Sequence, residues 1–325
     1  MEPHEPVPSD GAATTHDRLA VSYSDANPFF RLCRHLGWGP LVNLGYCTWP
    51  TMPAILGGLA FFQRRLETRS LALLQARPGH RVLDACCGRG HTTARLGAAG
   101  CDAVGVDITA QQIADARARY GDAPRTTFAV ADVTALPRHI DGIDMTDGSF
   151  DRVYCLEAAF HLSPAGRRAF LTEAFRVLRP GGRFVLVDFT WNSGSPGMIR
   201  QLDPQGLVRT AWQIEEFEPL ERYLEHANDI GFVVRRTVDW TRPVTERFMY
   251  LGTVLTRLAT TSAGRRILCL RWPGLREFSA LDWQDTLASI NAHRSLGRHV
   301  GYTALVLDKP EDTGQSGRTG SQVLP

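Results

Sequence analysis

The stretch Arg81 to Leu96, RVLDACCGRGHTTARL, constrains this chain more than any other. Val82 and Leu83 end a short apolar run, Asp84 closes it, Gly88 and Gly90 permit a sharp turn, and His91 to Leu96 restart as a helix. Strand, glycine turn and helix in that order put backbone N–H groups and a helix N-terminus at the carboxyl end of a parallel strand, where open α/β sheets hold small charged ligands. The loop lacks the G-x-x-x-x-G-K-S/T pattern of a lysine-type phosphate loop and departs from G-x-G-x-x-G. The ligand it implies carries a nucleoside and little or no phosphate. Asp107 closes a second apolar run, Ala103 to Val106, where an acid reaches a ribose in dinucleotide folds. Two strand ends then face one adenosine.

With these features the chain resembles the class I S-adenosylmethionine-dependent methyltransferases, specifically the small-molecule type that includes the sterol, tocopherol and ubiquinone enzymes. The resemblance is carried by LDACCGRG, GVDIT, ADVTALP, GSFDRVYCLEAAFHL and VLRPGGRFVLVDF, five motifs in the family's order over about a hundred residues. It implies S-adenosylmethionine as cofactor, S-adenosylhomocysteine as product, and no metal. One departure stands out: the family's first loop glycine is Cys86 here.

Composition sets the limits. The 325 residues, 43% hydrophobic and 22% charged, suit one large domain with insertions, and a net charge of +2 without a basic stripe gives no track for nucleic acid. Lys309 is the sole lysine beside abundant arginine. The seven cysteines, Cys86 and Cys87 adjacent among them, show neither secreted nor paired-zinc spacing and read as thiols of a reducing cytoplasm. No apolar run reaches membrane-spanning length and no signal pattern opens the sequence, so a cytoplasmic monomer or homodimer acting on a small molecule is the expectation.

The fold expected is α/β: a doubly wound, mostly parallel seven-stranded sheet with an N-terminal helical cover and a helical insertion before the last strand. Residues 1–16 and 310–325 read as disordered tails, 17–78 as the cover, and 79–241 with 299–309 as the cofactor-binding core. Segments 190–220 and 242–298 read as acceptor-binding insertions. Strands are expected near Arg81 to Ala85, Asp102 to Val106, Thr127 to Val130, Arg152 to Leu156, Arg183 to Phe189, Phe232 to Trp240 and Gly301 to Leu307. Thr109 is placed as a helix N-cap, and Pro180-Gly181-Gly182 as a break. Aromatic residues crowd the cover, with Tyr23, Phe29, Trp38 and Tyr46 among them.

The resemblance implies roles residue by residue. Asp84 would order the glycine loop and the cofactor's amino end, with Ala85, Gly88 and Gly90 beside it. Asp107 would accept both ribose hydroxyls, with Ile108 against the adenine and Gln112 on the helix that follows. Asp132 would receive the adenine amino group next to Val133, and Cys155 would offer its backbone carbonyl to the ammonium. The segment NLGYCTWP is similar to a run that lies across the cofactor, which makes Tyr46 a candidate contact. Glu157 and His161 follow the fourth strand, and a spacing of four sets both on one side of a helical segment. His161 suits deprotonation of a hydroxyl, whereas Glu157 would matter for C-methylation of sterol or prenyl type. Asn192, Trp191, Arg200, His293 and His299 form a weaker polar set. Covers rich in Trp, Phe, Leu and Met point to an apolar acceptor: a lipid or fatty-acid carboxylate, a polyketide or a phenol, with O-methylation favoured. Cys86 leaves room for a different function, a scaffold or rearrangement catalyst that binds the cofactor without spending its methyl. An RNA or protein methyltransferase is disfavoured, because CLEA stands where an NPPY-like motif would.

Overall fold

The computed structural model describes residues 27–38, 41–192 and 194–311. Tyr23, the expected tail 1–16 and nearly all of the tail 310–325 lie outside the described residues. Seven strands form the main sheet: β1 (Arg81–Ala85), β2 (Asp102–Asp107), β3 (Thr126–Val130), β4 (Phe150–Leu156), β5 (Leu178–Trp191), β6 (Val233–Asp239) and β7 (Val300–Asp308). Their order is β3-β2-β1-β4-β5-β7-β6. The first five pair in parallel, and β7 runs antiparallel to both β5 and β6. This is the sheet the strand pattern implies, with its last strand reversed.

Successive strand residues face opposite sides of a sheet, and the two cores follow from that. Val82 joins a cluster with Leu66 and Leu74 of α2 (Ala60–Leu74) and Leu96 of α3 (His91–Ala98). Leu83, its neighbour, joins the opposite cluster with Phe170, Leu171 and Ala174 of α5 (Pro164–Val177). Between α3 and α5, α4 (Ala110–Tyr120) buries Ile113 and Ala116 against Phe128. Parallel order with helices on both faces gathers the carboxyl ends of β1, β2, β3 and β4 on one edge.

A third core belongs to the cover. Phe29 and Leu32 of α1 (Pro28–His35) pack with Leu268 of α9 (Ser262–Arg271) and with Trp283 and Ile290 of α10 (Ala280–Leu296). The N-terminal segment and the insertion before β7, far apart in sequence, therefore share one hydrophobic cluster. Helices between β5 and β6 include α6 (Leu207–Trp212) and α7 (Leu220–Ile230), and α8 (Arg247–Ala259) opens the insertion. Among the described residues no helix is long and apolar enough to cross a membrane.

Local details differ from the sequence reading. Thr109 occupies the N-cap of α4, but its hydroxyl makes no capping bond there. Pro180 to Gly182 does not separate α5 from β5: α5 stops at Val177, and β5 continues through the Pro-Gly-Gly run with a register shift opposite Phe150 to Arg152.

Candidate active site

The glycine turn after β1 is closed by side chains of β1, α2 and α3. Asp84, buried, accepts the Thr93 hydroxyl at 2.6 Å. Burial raises its pKa to about 7, the Thr93 bond opposes the rise, and the charges of Glu67 and Asp107 add to it. Glu67, fully buried on α2, takes His91 at 3.0 Å, Thr92 at 2.9 Å and Arg95 at 2.6 Å. Burial pushes this acid up, yet those partners outweigh it and leave its pKa lowered. A carboxylate over the first turn of α3 also meets the positive end of that helix. Gly90 is irreplaceable for a steric reason: its φ is +78°, and a Cβ there would sit 2.6 Å from the Phe128 ring.

Cys86, the departure from the family pattern, adopts φ +60°. The loop thus keeps a glycine-like backbone with a cysteine in it, its thiol beside that of Cys155. Left-handed backbone is costly for a residue with a Cβ. Cys86→Gly is therefore expected to raise stability by about 1 kcal/mol in thermal unfolding, with cofactor affinity kept.

A cleft of about 710 Å³ opens along the edge where the strands end. Asp84, Cys86 and Gly88 line it from β1, and Asp107, Ile108 and Gln112 from β2 and α4. Asp132 and Val133 face it after β3, and Glu157 and His161 after β4. Asp107 holds the loop: Oδ2 accepts the Gly88 N–H at 3.0 Å and Oδ1 the Thr109 N–H at 2.8 Å. Asp132 forms an Asx turn, accepting the Thr134 N–H at 2.8 Å, and stays exposed at the cleft. Ala85 and Cys155 lie in the core beneath, so only their backbone could meet a ligand. Gly90 stands behind the lining as the hinge of the turn.

Tyr46 is placed elsewhere. Its ring meets Trp240 edge-on at 5.9 Å, and the Arg69 guanidinium lies 4.3 Å from its centroid. The reason is Gly45, whose φ of +90° presses the backbone so close to Phe62 that a Cβ would come within 2.6 Å. The strap still crosses the cleft, but through Leu41, Val42 and Asn43, with Gln63 Nε2 donating to the carbonyls of Leu41 (2.6 Å) and Asn43 (2.9 Å). Tyr46→Phe is expected to leave cofactor affinity within about twofold by calorimetry.

Sequence reasoning missed Asn43 and Glu67. Asn43 stands inside the quoted NLGYCTWP run, so its signal was present; Glu67 reaches the site only through the fold. The wall from Arg209 to Glu215 belongs to the 190–220 segment expected as cover, although none of its residues was singled out there.

Glu157 and His161 both line the cleft, although not as neighbours on a helix. Glu157 has φ +51°, and the chain then turns through a short 3₁₀ segment, Ala159–His161. Two buried charges hold that turn. Asp188, near the end of β5, accepts the Phe189 N–H at 2.7 Å and lies beside the backbone of Ala159 and Phe160, and burial raises its pKa to about 7. Arg167 donates to the carbonyls of Ala159 and Phe160, each at 3.2 Å, and pairs with Glu218 at 2.6 Å. The Glu157 carboxyl accepts the Tyr302 hydroxyl at 2.6 Å and the Leu44 N–H at 3.1 Å. Burial lifts its pKa to about 8 against the pull of those two donors. His161 is tilted against Phe160 with ring centroids 4.0 Å apart. Burial depresses its pKa to about 4, countered by a bond to the Trp212 backbone. It is neutral at pH 7 and a weak base.

A second cavity, about 80 Å³, lies behind Glu157. Glu157 and Val42 line both spaces. Of the weaker polar set, His293 faces this second cavity, and Trp191 stacks on His299 at 5.9 Å. Asn192 sits against Gly301, and Arg200 is exposed outside both cavities.

The cleft's polar groups fit a nucleoside amino acid. Gln112 Oε1 and both amide atoms of Asn43 are buried without a partner, and Asn43 is only 2% exposed. Unmet buried polar groups of this kind are costly unless a ligand satisfies them.

Known proteins agree with that geometry. Residues 82–182 match a family described as a methyltransferase domain. A 27-O-demethylrifamycin SV methyltransferase of Amycolatopsis mediterranei is 29% identical over 278 residues, 84% of this chain and 92% of that protein. An uncharacterized methyltransferase of a Synechocystis species is 31% identical over 158 residues, 47% of this chain and 68% of its own length. Among solved structures, geranyl diphosphate methyltransferase with GPP and sinefungin superposes with a TM-score of 0.64 at 18% identity, covering 91% of this chain and 98% of that one. The sheet order, the strand-end acids and these relatives together establish that the chain belongs to the class I S-adenosylmethionine-dependent methyltransferases, and to the small-molecule type among them.

Proposed function

We propose that this enzyme methylates a hydroxyl group on a small, largely apolar acceptor, with Glu157 as the general base. The observation that carries the reading is the position of Glu157 in the shared wall of the cofactor cleft and the apolar cavity. When bound, S-adenosylmethionine supplies the activated methyl carbon and leaves as S-adenosylhomocysteine. The chain's own residues do the rest. Asp107 and Asp132 would hold the ribose and adenine, and Asp84, Gln112 and Asn43 the amino-acid end. The Glu157 carboxylate takes the proton from the acceptor oxygen, while Tyr302 and Leu44 fix its orientation. Arg167 and Asp188 hold the turn that aims it. His161 packs the cleft wall and stays neutral, which departs from its expected role as base.

The cover that completes the site would come from three stretches, 17–78, 190–220 and 242–298, as expected from sequence. The relative named for 27-O-demethylrifamycin SV, which spans most of both chains, supports oxygen as the methylated atom. We place the reaction in a reducing cytoplasm, where seven unpaired thiols are stable. A second reading has support from the same acid beside aromatic walls: C-methylation of an alkene, in which Glu157 would take a proton from carbon. Incubation with methyl-labelled cofactor and a panel of hydroxylated acceptors separates the two. Label on oxygen, with S-adenosylhomocysteine released in equal amount, is expected; label on carbon would reject the O-methylation reading.

A further inference from the structure

The insertion before β7 carries charge of one sign only. From Arg247 to Arg276 stand six arginines, Arg247, Arg257, Arg265, Arg266, Arg271 and Arg276, with no lysine and no acid, although the whole chain is only +2. No carboxylate pairs with any of the six among the described residues. Helical spacing sorts them. On α8, Phe248, Leu255 and Ala259 turn to the core of the cover, which leaves Arg247, Tyr250, Val254 and Arg257 along the opposite side. On α9, Leu268 and Cys269 pack inward, and Arg266, Ile267, Leu270 and Arg271 share the outer side. The two helices pack on each other, and both outer sides point away from the one cluster they bury against. Large apolar side chains stay in solvent there: Ile267 is 57% and Leu270 74% exposed, and Tyr250 and Val254 are exposed too. Trp49 extends the patch from the N-terminal cover. Its exposed ring meets Tyr250 at 5.1 Å and carries the Arg247 guanidinium at 4.2 Å.

An exposed apolar patch among arginines that pair with no carboxylate makes two demands at once. The arginines call for an anion, and Ile267 and Leu270 call for a medium without water. Nucleic acid supplies the first alone. A lipid surface with anionic headgroups supplies both, with guanidinium groups at headgroup level and the aliphatic and aromatic side chains below it. We propose that the outer face of α8 and α9, with Trp49, docks the enzyme on an anionic lipid surface, lying on it without crossing it. Helix α8 also lends Phe248 and Met249 to the apolar cavity beside Glu157. Docking therefore brings the acceptor end of the site near the lipid, a consequence that rests on the acceptor reading; the docking itself does not.

Flotation of the full chain with vesicles tests the idea, using phosphatidylcholine alone and phosphatidylcholine mixed with phosphatidylglycerol. Binding to the mixed vesicles is expected at about 0.1 M salt, weaker by about tenfold or more at about 0.5 M, and slight on phosphatidylcholine alone. The double variant Arg266→Gln, Arg271→Gln should weaken that binding by about 20-fold, since each arginine near an anionic surface contributes about fivefold. The double variant Ile267→Ser, Leu270→Ser should weaken it by about tenfold or more. None of the four residues lines the cofactor cleft, so both variants should keep S-adenosylhomocysteine affinity in calorimetry, which checks that they fold. No binding to the anionic vesicles would overturn the proposal, and so would equal binding by the wild type and both variants. A dimer in sedimentation velocity that Ile267→Ser, Leu270→Ser abolishes, without vesicle binding, would assign the face to a second copy instead. Methyl transfer to a soluble acceptor is read separately, so the acceptor reading can fail or hold whichever way the vesicles answer.

Discussion

Glu157→Gln is expected to lower kcat by about 100-fold to 10,000-fold, the range a positioned general base contributes, while S-adenosylhomocysteine binds as before. The amide keeps the shape of the side chain. It can still accept from Tyr302 and from the Leu44 N–H, which bond the carboxyl at 2.6 Å and 3.1 Å. The left-handed backbone at this position is no harder for glutamine than for glutamate. What disappears is the capacity to take a proton. His161→Ala is expected to act differently, lowering kcat by no more than about tenfold through lost packing. Steady-state kinetics of both variants, on one acceptor, measures the contrast.

Asp107→Ala is expected to weaken S-adenosylhomocysteine binding by about 100-fold or more. Hydrogen bonds from an ionised group are worth about 1.5–3 kcal/mol each, and in the proposed cofactor pose the ribose would present two hydroxyls to this carboxylate. The carboxylate also orders the site in advance by holding Gly88 and Thr109. Removing it frees two backbone N–H groups and loosens the glycine turn, so affinity falls for two reasons that act together. Asp107→Asn keeps one acceptor oxygen and should fall between the wild type and Asp107→Ala. Calorimetric titration gives all three values.

The fold was legible because it is written locally. Arg81 to Ala85 is a strand in the sequence and in the structure alike, since apolar residues on both faces followed by a glycine turn leave few alternatives. The same holds for Asp84, Asp107 and Asp132, each placed by the strand it terminates. What escaped depends on contacts between distant segments. Tyr46 and Asn43 lie three residues apart, and Gly45 packing against Phe62 decides which of them reaches the cleft. Glu67 closes the turn from 24 residues before His91. The expectation of a helix through Glu157 and His161 failed because Asp188 and Arg167, remote in sequence, stabilise a tight turn instead. The shared cluster of the N-terminal cover and the insertion was likewise invisible to local pattern.

The pH dependence of kcat/KM, measured with an acceptor that does not itself titrate, tests the account at its centre. Glu157 is an acid whose pKa burial has raised to about 8, so its carboxylate, the form able to take a proton, prevails only above that value. Activity should therefore fall as pH drops through about 8 in the wild type, and this limb should vanish in Glu157→Gln. A neutral His161, with its pKa near 4, should add no inflection at working pH. An identical profile in wild type and Glu157→Gln, or a limb that disappears with His161→Ala instead, would contradict the assignment of Glu157 as the base.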